Sequence, residues 1–365
     1  MVKFLDLKAQ YLQIKDEIDH VIRDVIETSA FVGGQYLADF ERNFASFQGA
    51  SHCIGVGNGT DALEIALEAL ELPIGSEVIV PANSFIASAE AVTRCGHRVV
   101  FCDVDPRRYV VDPDDVARRI TSKTRAIMAV HLYGQPCDMT ALKKLASQND
   151  LYIIEDCAQA HGAEFEGERV GALGTIGCFS FYPGKNLGAY GDGGAIVTHN
   201  EPLARRCRMI ANHGRLAKYN HEFEGRNSRL DGLQAAILGV KLKHLEKWTN
   251  QRIALADEYL DGLKNIPDLI LPERAVNVRQ VYHLFVVRTE RRDALRAFLA
   301  ERDIQTGIHY PHALPKLPAY EYLDQQTEEG AAWVQDETLL SLPIGEHLAT
   351  VAPVIEAIRE FFDVR

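Results

Sequence analysis

The sequence predicts an α/β protein whose large domain is followed by a smaller α+β domain. Short apolar runs rich in β-branched residues alternate with helical patterns through the first two thirds of the 365-residue chain, and this alternation changes after Pro267. Compact apolar runs between helices are typical of buried parallel strands. A hydrophobic fraction of 47% and a charged fraction of 25% supply enough apolar material for a sizeable core.

The elements follow in order along the chain. Apolar residues at helical spacing predict a helix over 8–28, and a second helix is predicted over 62–67. The apolar runs predict strands at 54–56, 78–80, 99–104, 126–130, 152–155, 178–181 and 195–198.

A long helical pattern starts after Arg229 and continues past Trp248 to Tyr259. Beyond it, strands are predicted at 282–287 and 304–310, and helices at 294–301 and 351–362. A long helix of this kind can join two domains. We therefore assign residues 1–250 to the large domain and residues 251–365 to the small one.

The net charge and the cysteines of the chain argue against several classes of function. The net charge of −12 disfavours general nucleic-acid binding, because an acidic surface repels phosphate backbones. The seven cysteines show no CxxC spacing, which indicates a reducing compartment and neither a disulfide framework nor a metal site. No segment is long and apolar enough to cross a bilayer, so we expect no membrane association and a cytoplasmic location.

Lys185 is the most informative residue. It lies in the glycine-rich segment Ser180–Gly188, directly after an apolar run. Apolar surroundings lower the pKa of a lysine, and the neutral amine can form a Schiff base with a carbonyl compound such as pyridoxal phosphate (PLP). The alternative is a solvated loop lysine.

Three further segments follow predicted strands. Gly57–Ala62 resembles an anion site at a helix N-terminus, or it is an ordinary capped helix start. Asp156 ends a strand, where ligands bind in α/β sheets; it could keep a pyridine nitrogen protonated or cap the next helix. Phe85 could lie on a cofactor ring or pack in the core. A fourth segment, Gly225–Ala236, could present Asn227 or Arg229 to a phosphate or a carboxylate, or it is a solvated charge cluster in which Ser228 caps the next helix.

The order of glycine-rich turn, aromatic residue, aspartate and lysine on successive strand ends resembles fold-type I PLP enzymes. More closely, the chain resembles the DegT/DnrJ/EryC1/StrS family of nucleotide-sugar aminotransferases, from the Phe4–Leu7 segment to the Ile308–Pro311 segment and beyond. The resemblance implies a mostly parallel seven-stranded sheet between helices, PLP as cofactor, and a homodimer with shared active sites.

The resemblance also implies roles for individual residues. Lys185 would be the catalytic Schiff-base lysine, and Asp156 would pair with the pyridine nitrogen. The other expected cofactor contacts are Gly59, Thr60, Phe85, Gln159, Ser180 and, for the neighbouring subunit, Asn227. The expected substrate contacts are His161, Tyr182, Tyr219, Arg229, His309 and Tyr310.

Within the family, the segments 158–162, 181–188, 218–219 and 227–231 resemble those of members that aminate carbon 3 of dTDP-linked 3-keto-6-deoxyhexoses with L-glutamate as amino donor. UDP-linked 3-keto uronic acids and 4-keto sugars stay open as alternative substrates. A sugar dehydratase of this fold is disfavoured because a histidine typically replaces the lysine there. A PLP-binding sensor without turnover stays open, and the lack of GxGxxG after the first strand counts against a dinucleotide-binding protein.

Overall fold

The computed structural model describes residues 1–325 and 330–363. Helices make up much of the described chain, together with three short 3₁₀ turns at 132–134, 314–316 and 318–323. The helices are α1 Leu7–Gln13, α2 Lys15–Glu27, α3 Gly34–Gln48, α4 Gly59–Ala69, α5 Ala87–Arg94, α6 Pro113–Arg119, α7 Met139–Asn149, α8 Glu201–Ala211, α9 Gly232–Gly262, α10 Arg292–Glu301, α11 Ala331–Gln335 and α12 Ala352–Phe361.

The strands form a large sheet and two small ones. Their bounds are β1 His52–Val56, β2 Glu77–Pro81, β3 Arg98–Cys102, β4 Thr124–Val130, β5 Tyr152–Asp156, β6 Glu164–Phe165, β7 Glu168–Arg169, β8 Ile176–Ser180, β9 Gly194–Thr198, β10 Val278–Arg279, β11 Phe285–Arg288 and β12 Leu339–Leu342. The large sheet has seven strands in the order β1-β9-β8-β5-β4-β2-β3.

The large sheet is mostly parallel, as predicted. Only β9 runs antiparallel to its neighbours β1 and β8, whereas β8, β5, β4, β2 and β3 are mutually parallel. All seven apolar runs predicted as strands lie in this sheet. The carboxyl ends of β2, β4, β5 and β8 consequently meet at one edge, where open α/β sheets bind ligands.

Two apolar clusters sandwich the large sheet, and a third lies in the C-terminal part of the chain. One cluster contains the aromatic group of Phe40, Phe44, Phe179 and Phe181, whose rings pack at centroid distances of 5.1–5.5 Å. The third cluster joins the end of α9 to α10, α12, β11 and β12. The boundary predicted at residue 250 lies inside α9, and the division into 1–250 and 251–365 stays a prediction.

The structure corrects several predicted elements. The helix expected over 8–28 is two helices, because Ile14 leaves the helical conformation (φ −128°, ψ 21°) between α1 and α2. The segment 304–310, predicted as a strand, forms only isolated bridges, in which Ile304 pairs with Val2 and Gly307 pairs with Ser341. The partner of β11 is instead β12. The sequence analysis did not locate β12, and it did not locate the helices α3 and α5 to α8.

We predict that Ile127→Ala lowers the free energy of unfolding by about 2–5 kcal/mol, because Ile127 is fully buried on β4 and the substitution leaves a cavity. The matched control is Ile74→Ala, since Ile74 is 86% exposed. Its effect should stay within about 0.5 kcal/mol. Denaturant unfolding of the two variants checks this, and equal losses would contradict the assigned core.

Candidate active site

A cavity of about 860 Å³ opens at the edge where the parallel strands end. Its wall includes residues that follow or end four neighbouring strands of the large sheet: Ser84 after β2, His131 after β4, Asp156 on β5 and Ser180 on β8. The strand order therefore brings together positions that are far apart in the sequence. Phe4 and Leu5 from the N-terminus, and His309 and Tyr310 from the C-terminal part, complete other parts of the wall.

Asp156 is a buried carboxylate with a fixed orientation. Its Oδ2 accepts a hydrogen bond from Ser88 Oγ at 2.7 Å, and its Oδ1 accepts one from the backbone N–H of Ala158 at 3.1 Å. The second contact bends the chain after β5 as an Asx turn does. Asp156 also lines the cavity, so the carboxylate can face a cationic group bound there.

Lys185 lines the same cavity, in a turn that two backbone hydrogen bonds close. Lys185 N–H donates to the carbonyl of Tyr182 at 2.9 Å, and Ala189 N–H donates to the carbonyl of Phe181 at 2.8 Å. Burial lowers the pKa of Lys185 to about 8, and the negative charge of Asp156 opposes this shift. A substantial fraction of the amine is therefore neutral near physiological pH, as nucleophilic attack on a carbonyl requires.

The first turn of α4 forms an anion cradle beside the lysine. Asn58 caps this helix, with its Oδ1 accepting from Asp61 N–H at 2.8 Å. Residues 58–61 line the cavity, and the first turn of a helix has backbone N–H groups without partners inside the helix. An added Cβ on Gly59 would lie 2.6 Å from Ser180 Cβ, so only glycine permits this close approach. Thr60 and Ser180 add hydroxyl groups to the cavity wall. Backbone donors at a helix N-terminus combined with hydroxyl groups suit a phosphate.

Gln159 and Tyr310 form a polar pair on the cavity wall. Gln159 Oε1 accepts from the backbone N–H of Tyr133 at 2.7 Å, and its Nε2 donates to the hydroxyl of Tyr310 at 3.0 Å. Burial raises the pKa of the Tyr310 hydroxyl, which stays protonated. The Phe85 ring is tilted against that of Tyr310 at a centroid distance of 5.8 Å, yet remains 53% exposed toward the cavity. An exposed ring inside a cavity is available for stacking on a ligand.

His309 also lines the cavity. Its ring is stacked on Phe4 at 5.7 Å, and its Nδ1 is hydrogen-bonded to Ser341 Oγ at 2.9 Å. Burial, together with the charge of Lys185, lowers the pKa of His309 to about 4, so the ring is neutral. Tyr182 lies beside Lys185 on the wall and is largely exposed.

The remaining predicted site residues are not on this wall. His161 is fully buried between Phe179 and Phe181, and burial followed by the charge of Lys185 lowers its pKa to about 3. His161 does not line the cavity in this arrangement, because its ring is packed against two aromatic side chains, and its contact with the sugar stays a prediction. Three others are exposed outside the cavity, between α8 and α9: Tyr219, Asn227 and Arg229.

Arg252 and His283 are among the wall residues that the sequence analysis missed, because their signals are weak. Arg252 is buried in the middle of α9, where its Nη2 contacts Glu346 Oε2 at 3.0 Å and its Nη1 donates to the carbonyl of Ile344 at 3.1 Å. His283 is hydrogen-bonded to Asn186 Oδ1 at 3.1 Å, and burial lowers its pKa well below the usual value. One signal could have identified Arg252 as a wall residue: it is a charged residue at a position of the helical pattern where an apolar residue is expected.

The buried groups of His131, Glu155 and Cys157 lie close enough to suggest a metal site. Hydrogen bonds within the protein explain why these groups lie together. Cys137 N–H donates to His131 Nδ1 at 3.0 Å, which leaves Nε2–H to donate to Glu155 at 2.9 Å. Glu155 accepts three more backbone N–H groups, those of Gly171, Leu173 and Gly174. The carboxylate is thereby satisfied and the cluster is structural.

Comparisons with known proteins find relatives that match nearly the whole chain. The sequence model described as the DegT/DnrJ/EryC1/StrS aminotransferase family matches residues 12–359. The chain is 46% identical to the dTDP-3-amino-3,4,6-trideoxy-alpha-D-glucose transaminase of Streptomyces venezuelae, over 99% of this chain and 96% of that protein. It is 45% identical to the dTDP-3-amino-3,6-dideoxy-alpha-D-galactopyranose transaminase of Aneurinibacillus thermoaerophilus, over 99% of both chains.

A solved structure has the same fold. The crystal structure of S. venezuelae DesV in complex with a ketimine intermediate superposes with a TM-score of 0.96 at 46% identity, covering 100% of this chain and 99% of that one. This confirms the predicted fold-type I architecture. Among the described residues, no helix is long and apolar enough to span a membrane.

We predict that the amine of Lys185 in the cofactor-free protein reacts with trinitrobenzenesulfonate with a pH midpoint near 8, because burial lowers its pKa to about 8. The neutral fraction should rise steeply from pH 7 to 9, whereas an ordinary lysine titrates at about 10.4. Peptide mass spectrometry measures the modification at each pH. The exposed Lys243 is the internal control, and a shared midpoint above 10 would contradict the proposed burial effect.

Proposed function

The chain belongs to the DegT/DnrJ/EryC1/StrS aminotransferase family, and from this premise we propose that it moves the amino group of L-glutamate to carbon 3 of a dTDP-linked 3-keto-6-deoxyhexose. The products are a dTDP-3-amino-3,6-dideoxyhexose and 2-oxoglutarate. The observation that carries the proposal is the buried amine of Lys185 in one cavity with the carboxylate of Asp156 and an anion cradle. The two dTDP-3-amino-sugar transaminases at 45–46% identity support the position that is aminated and the nucleotide.

The residues of the cavity fit pyridoxal phosphate as cofactor. The phosphate suits the first turn of α4 with Gly59, Thr60 and Ser180, because the missing Cβ of Gly59 lets Ser180 approach the helix start closely. Asp156 would hold the pyridine nitrogen protonated, and Gln159 would face the phenolic oxygen. When bound, the cofactor supplies an electron sink for the bond changes at the amino-bearing carbon.

Lys185 has two tasks in this proposal. Its neutral amine would hold the cofactor covalently between turnovers. Once released, its Nζ would accept the proton from the amino-bearing carbon of glutamate and deliver it to the cofactor carbon that carried the lysine; with the keto sugar it would move a proton in the opposite direction. A pKa of about 8 suits both proton transfers, because a proton carrier works best with a pKa near the working pH. The closed turn fixes the backbone of Lys185 at the cavity, which would keep Nζ within reach of the reacting carbon.

In this proposal Tyr182, His309 and Tyr310, which line the cavity, would form its sugar side. Phe85 would stack on the cofactor ring. His309 and Tyr310 are neutral, so they would act on sugar hydroxyl groups as hydrogen-bonding groups without charge.

The exposed segment between α8 and α9 would complete the site of a second subunit. It is tied to its own subunit: Ser228 Oγ donates to Asp61 Oδ2 at 2.6 Å, and Arg226 Nη2 contacts Glu68 at 2.8 Å. In the homodimer that we propose, Asn227 reaches the phosphate of the neighbouring cofactor. Arg229 and Tyr219 would lie near the substrate there, with Arg229 placed to receive the carboxylate of glutamate.

A cytoplasmic location completes the proposal. All seven cysteines have free thiols, six of them buried, as expected in a reducing compartment.

The proposal predicts turnover by the PLP-loaded protein. With L-glutamate and dTDP-3-keto-6-deoxyglucose or its galactose epimer, 2-oxoglutarate and a dTDP-3-amino sugar should form in equal amounts, measured by coupled assay and mass spectrometry. Lys185→Ala should lower turnover by at least about 10³-fold, since it removes the proton carrier.

The same assay separates the other candidates. Turnover only with a UDP-3-keto uronic acid or a 4-keto sugar would contradict the dTDP-3-keto assignment. Cofactor absorbance that does not respond to glutamate would favour a sensor without turnover. Unchanged turnover in Lys185→Ala would remove this lysine from the mechanism.

A mixed dimer tests the shared site. We predict that Lys185→Ala and Asn227→Asp are each inactive alone, the second because a carboxylate would repel the cofactor phosphate. Refolding an equal mixture should restore about a quarter of wild-type activity, because half of the dimers are hybrids and each hybrid has one intact site. Absence of recovery despite hybrid formation, checked by native mass spectrometry, would show that each subunit completes its own site.

A further inference from the structure

Helix α9 buries a second lysine directly behind the turn of Lys185. Lys241 is only 1% exposed, its Nζ donates to the carbonyl oxygen of Gly188 at 2.7 Å, and it lies 4.4 Å from the centroid of the Tyr190 ring. A buried ammonium group destabilises the folded protein, and a protein with an apolar residue of similar size at the same place is often as stable or more so. The presence of a lysine here therefore suggests a role other than packing.

The carbonyl that Lys241 binds belongs to the glycine that closes the turn. An added Cβ on Gly188 would lie 2.3 Å from the carbonyl oxygen of Pro183, so the two ends of the turn are in close contact. Lys185 lies between these two residues in the sequence. A shift of Gly188 would consequently displace the backbone of Lys185.

The other side of the turn has an anchor of its own. Asn186 is buried, its Nδ2 donates to the carbonyl of Val281 at 3.1 Å, and its Oδ1 is hydrogen-bonded to His283 at 3.1 Å. Lys185 is therefore flanked by one anchor to the segment before β11 and one anchor to α9. Lys241 itself is not among the described residues that line the cavity, so it does not meet the substrate.

We propose that Lys241 is a positioning residue for Lys185: through the Gly188 carbonyl it fixes the turn and thereby the place of Lys185 Nζ in the cavity. This inference rests on the proposed role of Lys185 in transamination. The cation–aromatic contact with Tyr190 and the charge-assisted hydrogen bond to Gly188 stabilise the buried ammonium. Burial nevertheless lowers the pKa of Lys241 to about 8, while the charge of Glu346 opposes the shift.

The test compares Lys241→Met with Lys243→Met, a change of the same chemistry at an exposed position of the same helix. Methionine keeps the length and packing of the lysine stem but cannot donate to Gly188. We expect kcat of the PLP-loaded Lys241→Met enzyme to fall about 10- to 100-fold, as small misplacements of reacting groups do, with KM for the sugar within about threefold of wild type. Hydrogen exchange of the backbone amides at 184–189 should accelerate in Lys241→Met alone.

Two outcomes would overturn the proposal. One is wild-type kcat together with wild-type exchange at 184–189 in Lys241→Met, and the other is equal effects in both methionine variants. If Lys241→Met does not fold, Lys241→Gln decides, because its side chain is polar but one bond shorter, so its N–H donor does not reach the Gly188 carbonyl. Faster exchange at 184–189 in this variant supports the proposal, and wild-type exchange refutes it. Exchange needs no sugar, so a failure of the proposed substrate would appear as an inactive wild type and leave this test intact.

Discussion

The burial of one amine at the edge of a parallel sheet is the constraint on which the structure depends. Lys185 loses solvation inside the cavity, and this loss brings its pKa close to physiological pH. Burying an ammonium group lowers the stability of the folded protein, whereas an exposed lysine has no such cost. Asp156 is the charge that offsets part of the cost, and it is held in place by Ser88 and Ala158.

The strand order places the buried lysine beside the other groups of the site. Because β8, β5, β4 and β2 are adjacent and parallel, their ends bring Ser180, the carboxylate and the lysine turn to one edge of the sheet. The strand β1 runs in the same direction as β8, so α4 and its anion cradle start at this edge too. Two glycines make the necessary close approaches: Gly59 lets α4 reach Ser180, and Gly188 lets the lysine turn close. The site is thus built on strand ends and helix starts, whose positions the packed core fixes.

The sequence was sufficient to predict the strands of the large sheet and the site residues that lie near the ends of these strands. Each of the seven strands of the large sheet is an apolar run, and Lys185, Asp156 and Gly59 come within a few residues after the end of such a run. The sequence was insufficient where long-range packing decides. His161 has the polarity of a ligand residue, yet aromatic side chains bury it; Arg252 sits at an apolar helix position and reaches the cavity from α9. The segment 304–310 alternates as a strand would, but β12 takes the place beside β11.

The most direct test of the central claim is the site of cofactor attachment. The PLP-loaded protein is reduced with borohydride, digested, and analysed by peptide mass spectrometry. The account predicts the pyridoxyl group on Lys185, within the segment Ser180–Gly188. Attachment to Lys241, whose pKa is also lowered to about 8 by burial, or to any other lysine would contradict it.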